Sequence, residues 1–160
     1  MRQSNQAGQA EQRPQFVIAV FDDWEALHGA LISVAAHAPL RAGAVLHARN
    51  DVPSHASALA LLKEMTHLHF AQSSQHITCT MGQLANELST KLARGARSIA
   101  EALHGWLGSD QAEQLESHIE KGRLVLWVEV RTSEDYSVVC GRLVQASPHM
   151  VGVCKIGFES

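Results

Sequence analysis

Ten histidines in 160 residues are the most conspicuous source of chemistry in this chain. Imidazole titrates near neutral pH and is a common metal ligand. His67-x-His69, followed by His76 and Cys79, offers the nitrogen and sulfur donors that hold zinc or iron. Residues two apart share a face on a strand but diverge by about 200° on a helix. The apolar spacing of Leu59, Leu62, Met65 and Leu68 predicts a short helix over 56–70. That segment also lacks the Cys-x-x-Cys and His-x-x-x-His pairs of dependable sites. The histidines therefore read as surface or partly buried side chains, with no metal and no cofactor expected. His104, near Trp106, and His118 are the residues that could serve a haem iron as axial ligands.

Asp22-Asp23, directly after an apolar run, is the second constellation. Clustered carboxylates suit a hard cation or a phosphoryl-accepting pocket, for which Asp51 and Lys155 are the nearest further groups. Helix capping is the favoured use, since either carboxylate can accept from free amides, and Glu25 sits three residues after Asp22 as in a loose capping box. Nucleophilic catalysis has no support, because Gly-x-Ser-x-Gly, Cys-x-x-Cys and a glycine-rich phosphate loop are all missing from the sequence. Cys140 and Cys154 fall on apolar stripes, where thiols are usually inert. Trp24, Trp106 and Trp127 could line a pocket, but packing is the commoner use of such rings. No catalytic residue is assigned.

With 13 basic and 16 acidic residues the net charge is −3, which leaves no electrostatic footprint for nucleic acid or an anionic membrane. No window reaches the ~20 apolar residues that span a bilayer. Three cysteines at unrelated spacings suit a reduced, cytoplasmic protein. An apolar content of 46% is enough for one well-packed domain.

Residues 1–15 are Gln-rich, end near Pro14 and lack the apolar stretch of a secretory leader, so a disordered tail is expected. The ordered part opens with a strand at Phe16–Phe21. A helix striped by Leu27, Ala30, Leu31 and Val34 follows, stopping near Ala38 ahead of Pro39, and then a strand over Ala42–Ala48. The C-terminal part repeats this order. Leu124–Val130 is a strand, Thr132–Asp135 a cap, and Tyr136, Val139, Cys140, Leu143 and Val144 a helical stripe ended by Pro148. Met150–Phe158 is the last strand. Val17 matches Val125 at an offset of 108, while the helical stripes and Pro-x-x-x-Gly match at 109, which puts one residue of slippage inside the cap.

Two βαβ units in one small α+β domain suggest a ferredoxin-like sandwich over 16–158, with both helices on one face of the sheet. The opposite face then needs a cover. The helical insertion at 50–122 is the candidate. It holds a brief strand near Ile77–Cys79 and a long helix over 83–107 striped by Leu84, Leu88, Leu92, Ile99, Leu103 and Trp106, with Gly108 just past its end. A last helix starts at Ser109-Asp110 and closes at Gly122. This insertion either covers the bare face or pairs with a second copy, so a homo-oligomer is expected. The 83–107 stripe could also dock a different protein.

The stretches Val17-Ile-Ala-Val-Phe-Asp22, Leu107-Gly108-x-x-x-Ala112 and Ile119-Glu-Lys-Gly122 before Leu124 resemble the bacterial heat-induced and general-stress proteins. The resemblance covers about residues 16–158. It implies a ferredoxin-like domain linked to stress physiology, with no catalytic residues to carry over. The family's insertion is often glycine-rich and very apolar, whereas 83–107 reads here as an ordinary amphipathic helix. The expected function is a non-catalytic, stress-associated cytoplasmic module that acts as a homo-oligomer or binds a small ligand or protein. The alternative is a haem- or metal-dependent enzyme of the same fold.

Overall fold

The computed structural model describes residues 15–38, 43–47, 66–69, 76–81, 87, 90–91, 94–95, 99–147, 149 and 151–155. In chain order the elements are β1 (Gln15–Phe21), α1 (Trp24–Ala35), β2 (Gly43–His47), β3 (Thr66–His69), β4 (His76–Met81), α2 (Ile99–Leu103), α3 (Ser109–Glu120), β5 (Leu124–Val130), α4 (Ser133–Ala146) and β6 (Val151–Lys155). They form an α+β domain around one six-stranded sheet of order β3-β4-β2-β5-β1-β6. Every neighbouring pair is antiparallel.

The sheet is organised by β1 and β5, which pair along their whole length from Gln15↔Val130 to Phe21↔Leu124. All seven residues of β5 are buried, as are Phe16–Phe21 of β1. Side chains alternate across a strand, so both faces of this pair are apolar apart from the buried Glu129, which accepts from Arg131 Nε at 3.0 Å. Val17, Ala19 and Phe21 of β1 share one face with Leu124, Leu126, Val128 and Val130 of β5, beneath Leu27, Leu31 and Val34 of α1 and Val139 and Leu143 of α4. Phe16, Ile18 and Val20 share the other with Val125 and Trp127, against Ala102 and Leu103 of α2 and Ala112, Leu115 and Ile119 of α3. Phe16, Trp127 and Trp106 stack edge-to-face there, with ring centroids 6.2 and 6.5 Å apart. All three tryptophans thus pack in or against the core.

Several sequence expectations change. Of the two alternatives for the insertion, the first holds for the central strands: residues 99–120, as α2 and α3, cover the second face of β1 and β5. The brief strand expected near Ile77–Cys79 is β4, and β3 is a further strand that also extends the sheet. Residues 66–69 are strand rather than the end of a helix over 56–70. A single helix over 83–107 is broken: Gly95 takes φ +95° in a turn at Arg94–Gly95, a left-handed conformation outside any α-helix, and the helix before the next turn is Ile99–Leu103. Leu92 and the tail at 1–14 lie outside the described residues. Gly108, with φ −63° and ψ 157°, caps the start of α3 rather than ending a preceding helix.

The internal repeat survives with a different offset. The strands Gln15–Phe21 and Leu124–Val130 correspond at 109 residues (15 to 124, 21 to 130), as do the caps Asp23 and Thr132. At 108, Val17 would match Val125 on the opposite face; at 109 it matches Leu126 on its own. A one-residue slip in a strand exchanges its faces, so burial decides between the two. The slip falls before the last strand instead: Val45 opposes Leu126 while Val153 opposes Val17, an offset of 108.

Leu103 carries the docking of α2. Leu103→Ala should cost about 2–5 kcal/mol in denaturant unfolding, as for other buried leucines. A loss within about 0.5 kcal/mol, typical of surface positions, would mean that α2 does not cover the sheet.

Candidate functional site

At one end of the sheet the C-terminus of β1, the N-terminus of β5, the end of α3 and the approach to β6 meet. Each contributes one polar side chain. β1 ends at Phe21, and Asp22 follows with its side chain 56% exposed. Asp23, not Asp22, caps α1, accepting from Ala26 N at 2.8 Å. Trp24 is then the first helical residue, and Glu25 sits one position too early to reach back as a capping box would require.

Asp22 turns instead toward the opposite half of the chain. His149 Nε2 donates to Asp22 Oδ1 at 2.6 Å, and Arg123 Nε lies 3.4 Å from the same oxygen. These partners, the His149 bond first, hold the Asp22 carboxyl below its ordinary value of 3.8.

Arg123 is aimed by the turn that closes α3. Gly122 adopts φ +83° and donates to Ile119 O at 3.0 Å, while Arg123 N donates to His118 O at 3.1 Å. This is the Schellman pattern, in which a left-handed glycine folds the chain back over the last turn. Arg123 therefore lies over His118, and its Nη1 donates to His118 Nδ1 at 2.9 Å. Guanidinium has no acceptor, so Nδ1 carries no proton and His118 is the neutral Nε2–H tautomer. Burial, then the charge of Arg123, holds His118 below its ordinary 6.5. The His118 and His149 rings lie 5.5 Å apart. Ser147, at the end of α4, is bonded to the backbone of β1: its Oγ donates to Val20 O at 2.7 Å and accepts from Val20 N at 3.2 Å.

The cluster thus presents an accessible carboxylate, a guanidinium and two imidazoles, one of them fixed in its tautomer. It can bind a polar ligand through several directed hydrogen bonds. No hydroxyl or thiol sits bonded to the Asp22–His149 pair as a nucleophile among the described contacts.

The structure separates most of the residues that the sequence nominated. Lys155 lies opposite Gln15, at the other end of β1 from Asp22, so those two cannot share a phosphoryl-accepting pocket. Asp51 lies outside the described residues. His104 is exposed in the turn after α2, and His118 belongs to the Arg123 cluster, so the two haem-ligand candidates serve different surroundings. Cys140 is a half-buried free thiol bonded to Tyr136, which raises the Tyr136 pKa. The side chains of His67, His69, His76, Cys79 and Cys154 lie outside the described set, although their strands are placed. Among residues whose side chains are described, no group of three or more His, Cys, Asp or Glu could hold a metal ion. No described helix is long and apolar enough to cross a membrane.

Sequence reasoning missed Arg123 and His149. The Gly122-Arg123 pair was the available signal, because a helix-closing glycine fixes where the next side chain lies. No protein-family model, curated protein or solved structure matches the chain.

Two outcomes follow. His118 binds protons less readily in the folded state than in the unfolded one, so folding stability falls as pH drops through 6.5 toward its lowered value. Asp22 contributes stability that is present above 3.8 and lost only as pH falls through its lowered pKa. Melting curves from pH 7.5 to 3 should show both declines, with His118→Gln flattening the upper and Asp22→Asn the lower. Unchanged slopes would show that the cluster is not formed. Separately, a methyl group on Gly122 meets nothing within 4 Å, so Gly122→Ala should cost only the left-handed strain of about 1–2 kcal/mol by denaturant unfolding.

Proposed function

We propose that this chain is a non-catalytic binding module of ferredoxin-like fold that takes a small anionic molecule, with a carboxylate or phosphate group, at the Asp22–Arg123–His118–His149 cluster. The observation that carries it is the convergence of His149 and Arg123 on the Asp22 carboxylate, with His118 held against Arg123, at an exposed end of the sheet. His118 is left with an Nε2–H to donate, Arg123 retains further N–H groups, and the position of Asp22 favours ligands that also carry a hydroxyl or amine.

The ferredoxin-like assignment is supported by four of the six strands. β2-β5-β1-β6 is the order in which two βαβ units interleave, with α1 and α4 together on one face. A stress-linked role in the bacterial cytoplasm rests on the resemblance of residues 16–158 to general-stress proteins. Self-association is part of the same proposal. With both faces of the central pair covered, it would use the outer edge of β6 or the outer surface of α1 and α4, where Ile32 and Val144 are the exposed large apolar side chains.

Thermal melting with inorganic phosphate and with acetate tests the ligand assignment. A ligand at 100 times its Kd adds about 2.7 kcal/mol, a rise of roughly 5–10 °C in a domain of this size. Arg123→Gln should abolish that rise. If anions leave the melting point unchanged while Arg123→Gln lowers it, the cluster is a clasp between β1, α3 and β6 and the binding assignment fails.

A further inference from the structure

A groove of about 430 Å³ lies between the end of α1 and the outer surface of α4. His37 lines it from the α1 side, and Ser137, Val138, Gly141, Arg142 and Gln145 line it from α4. Positions 137, 141 and 145 recur every four residues, as do 138 and 142, so they form two neighbouring rows on one side of the helix. His37 is placed by the turn that ends α1, where its N–H and that of Ala38 donate to Val34 O at 3.0 and 2.8 Å. Its ring then holds Arg142, whose Nη2 donates to His37 Nε2 at 2.9 Å. Guanidinium has no acceptor, so His37 is the neutral Nδ1–H tautomer. The groove therefore carries one positive charge, and none of its lining side chains is acidic. Arg142 has no carboxylate partner among the described residues, and the His37 bond uses only one of its several N–H donors.

Gly141 is an independent observation. Glycine weakens a helix interior relative to alanine, and neither a left-handed φ nor a close neighbour requires it here: a Cβ would meet nothing within 4 Å. Its missing side chain instead keeps the floor of the groove open beside Val138 and Arg142. We propose that this groove binds a small organic carboxylate with a short aliphatic tail. The carboxylate pairs with the Arg142 guanidinium, and the tail lies on Val138 and the bare backbone at Gly141. A planar carboxylate matches the guanidinium fork, and its single negative charge matches the single positive one. A phosphate monoester would bring a second charge with no partner. One turn beyond Arg142, the Gln145 amide can donate to the same carboxylate. His37 is a positioning residue that acts through Arg142.

The groove shares no residue with the Asp22 cluster, so each assignment stands or falls alone. A solvent-open site with one ion pair binds weakly, in the millimolar range, which NMR reads well. The test is titration of the isotope-labelled full chain with butyrate. Saturable shifts should appear at the Gly141 amide and the Arg142 Nε–H, and uncharged butyramide should produce none. Arg142→Gln should weaken butyrate binding about tenfold or more. Gly141→Leu should abolish it by filling the groove, while the melting temperature holds or rises because leucine favours helix. Arg123→Gln, in the other cluster, should leave the Gly141 and Arg142 shifts unchanged. The assignment is overturned by the absence of saturable shifts at these two positions, by equal shifts with butyramide, or by tighter binding of methyl phosphate. It is equally overturned by butyrate binding that survives both Arg142→Gln and Gly141→Leu, or by loss of the shifts in Arg123→Gln.

Discussion

The fold depends on one constraint: β1 and β5 form a central antiparallel pair that is apolar on both faces. Phe21, Leu126 and Val128 face one way and Phe16, Ile18 and Trp127 the other, so neither face can remain in water. The repeated βαβ grammar supplies two helices, and both lie on the same face. The chain between the two repeats must therefore supply the other cover. It does so with α2 and α3, joined by a remote cap in which Glu116 of α3 accepts from Ala100 N of α2 at 2.8 Å. A short helix of five residues cannot hold itself together in water, and this bond ties it to a longer one.

What was legible in the sequence follows from this constraint. The strands at 15–21 and 124–130 were plain because continuous runs of large apolar residues belong to strands buried on two faces. The helix starts at Asp22-Asp23 and Thr132 were legible because capping is a local matter, settled within three residues, although the sequence leaves open which aspartate caps. The break at Gly95 was not legible. A heptad-like stripe continues through it, and only the backbone reveals φ +95°. Strand β3 was hidden, and β4 was legible only as a brief strand near Ile77–Cys79, for a different reason. The position of β4 is fixed by pairing with β2 and that of β3 by pairing with β4, long-range causes that local apolar spacing does not record.

The same distinction explains the candidate site. Asp22-Asp23 attracted attention as a pair, yet the two residues do unlike things. Asp23 satisfies amides of its own helix, whereas Asp22 reaches His149, 127 residues away. Neighbours in sequence diverge because the strand ends between Phe21 and Asp22, and everything beyond that point is set by what arrives at the sheet end from elsewhere. His149 and Arg123 arrive there through the antiparallel returns of β6 and β5, which no local spacing could have paired with position 22.

The candidate site sits at that one end of the sheet, and the register explains why. Phe21 opposes Leu124, so Asp22 and Arg123 extend past the same end of the central pair. Leu46 opposes Val125, which brings His47, one residue on, to the level of Leu124. His76 and His69 continue that level outward through β4 and β3. With His118 and His149, half of the chain's ten histidines therefore lie along one rim. The faces of the central β1–β5 pair are given almost wholly to packing, Glu129 being the charged residue buried among them. Strand ends carry no such obligation, because the side chains there are no longer needed to cover the sheet. A sheet that must be sealed on both faces can offer polar chemistry only at its rim. Here the rim on the side of Phe21, Leu124 and His47 is where Asp22, Arg123, His118 and His149 meet.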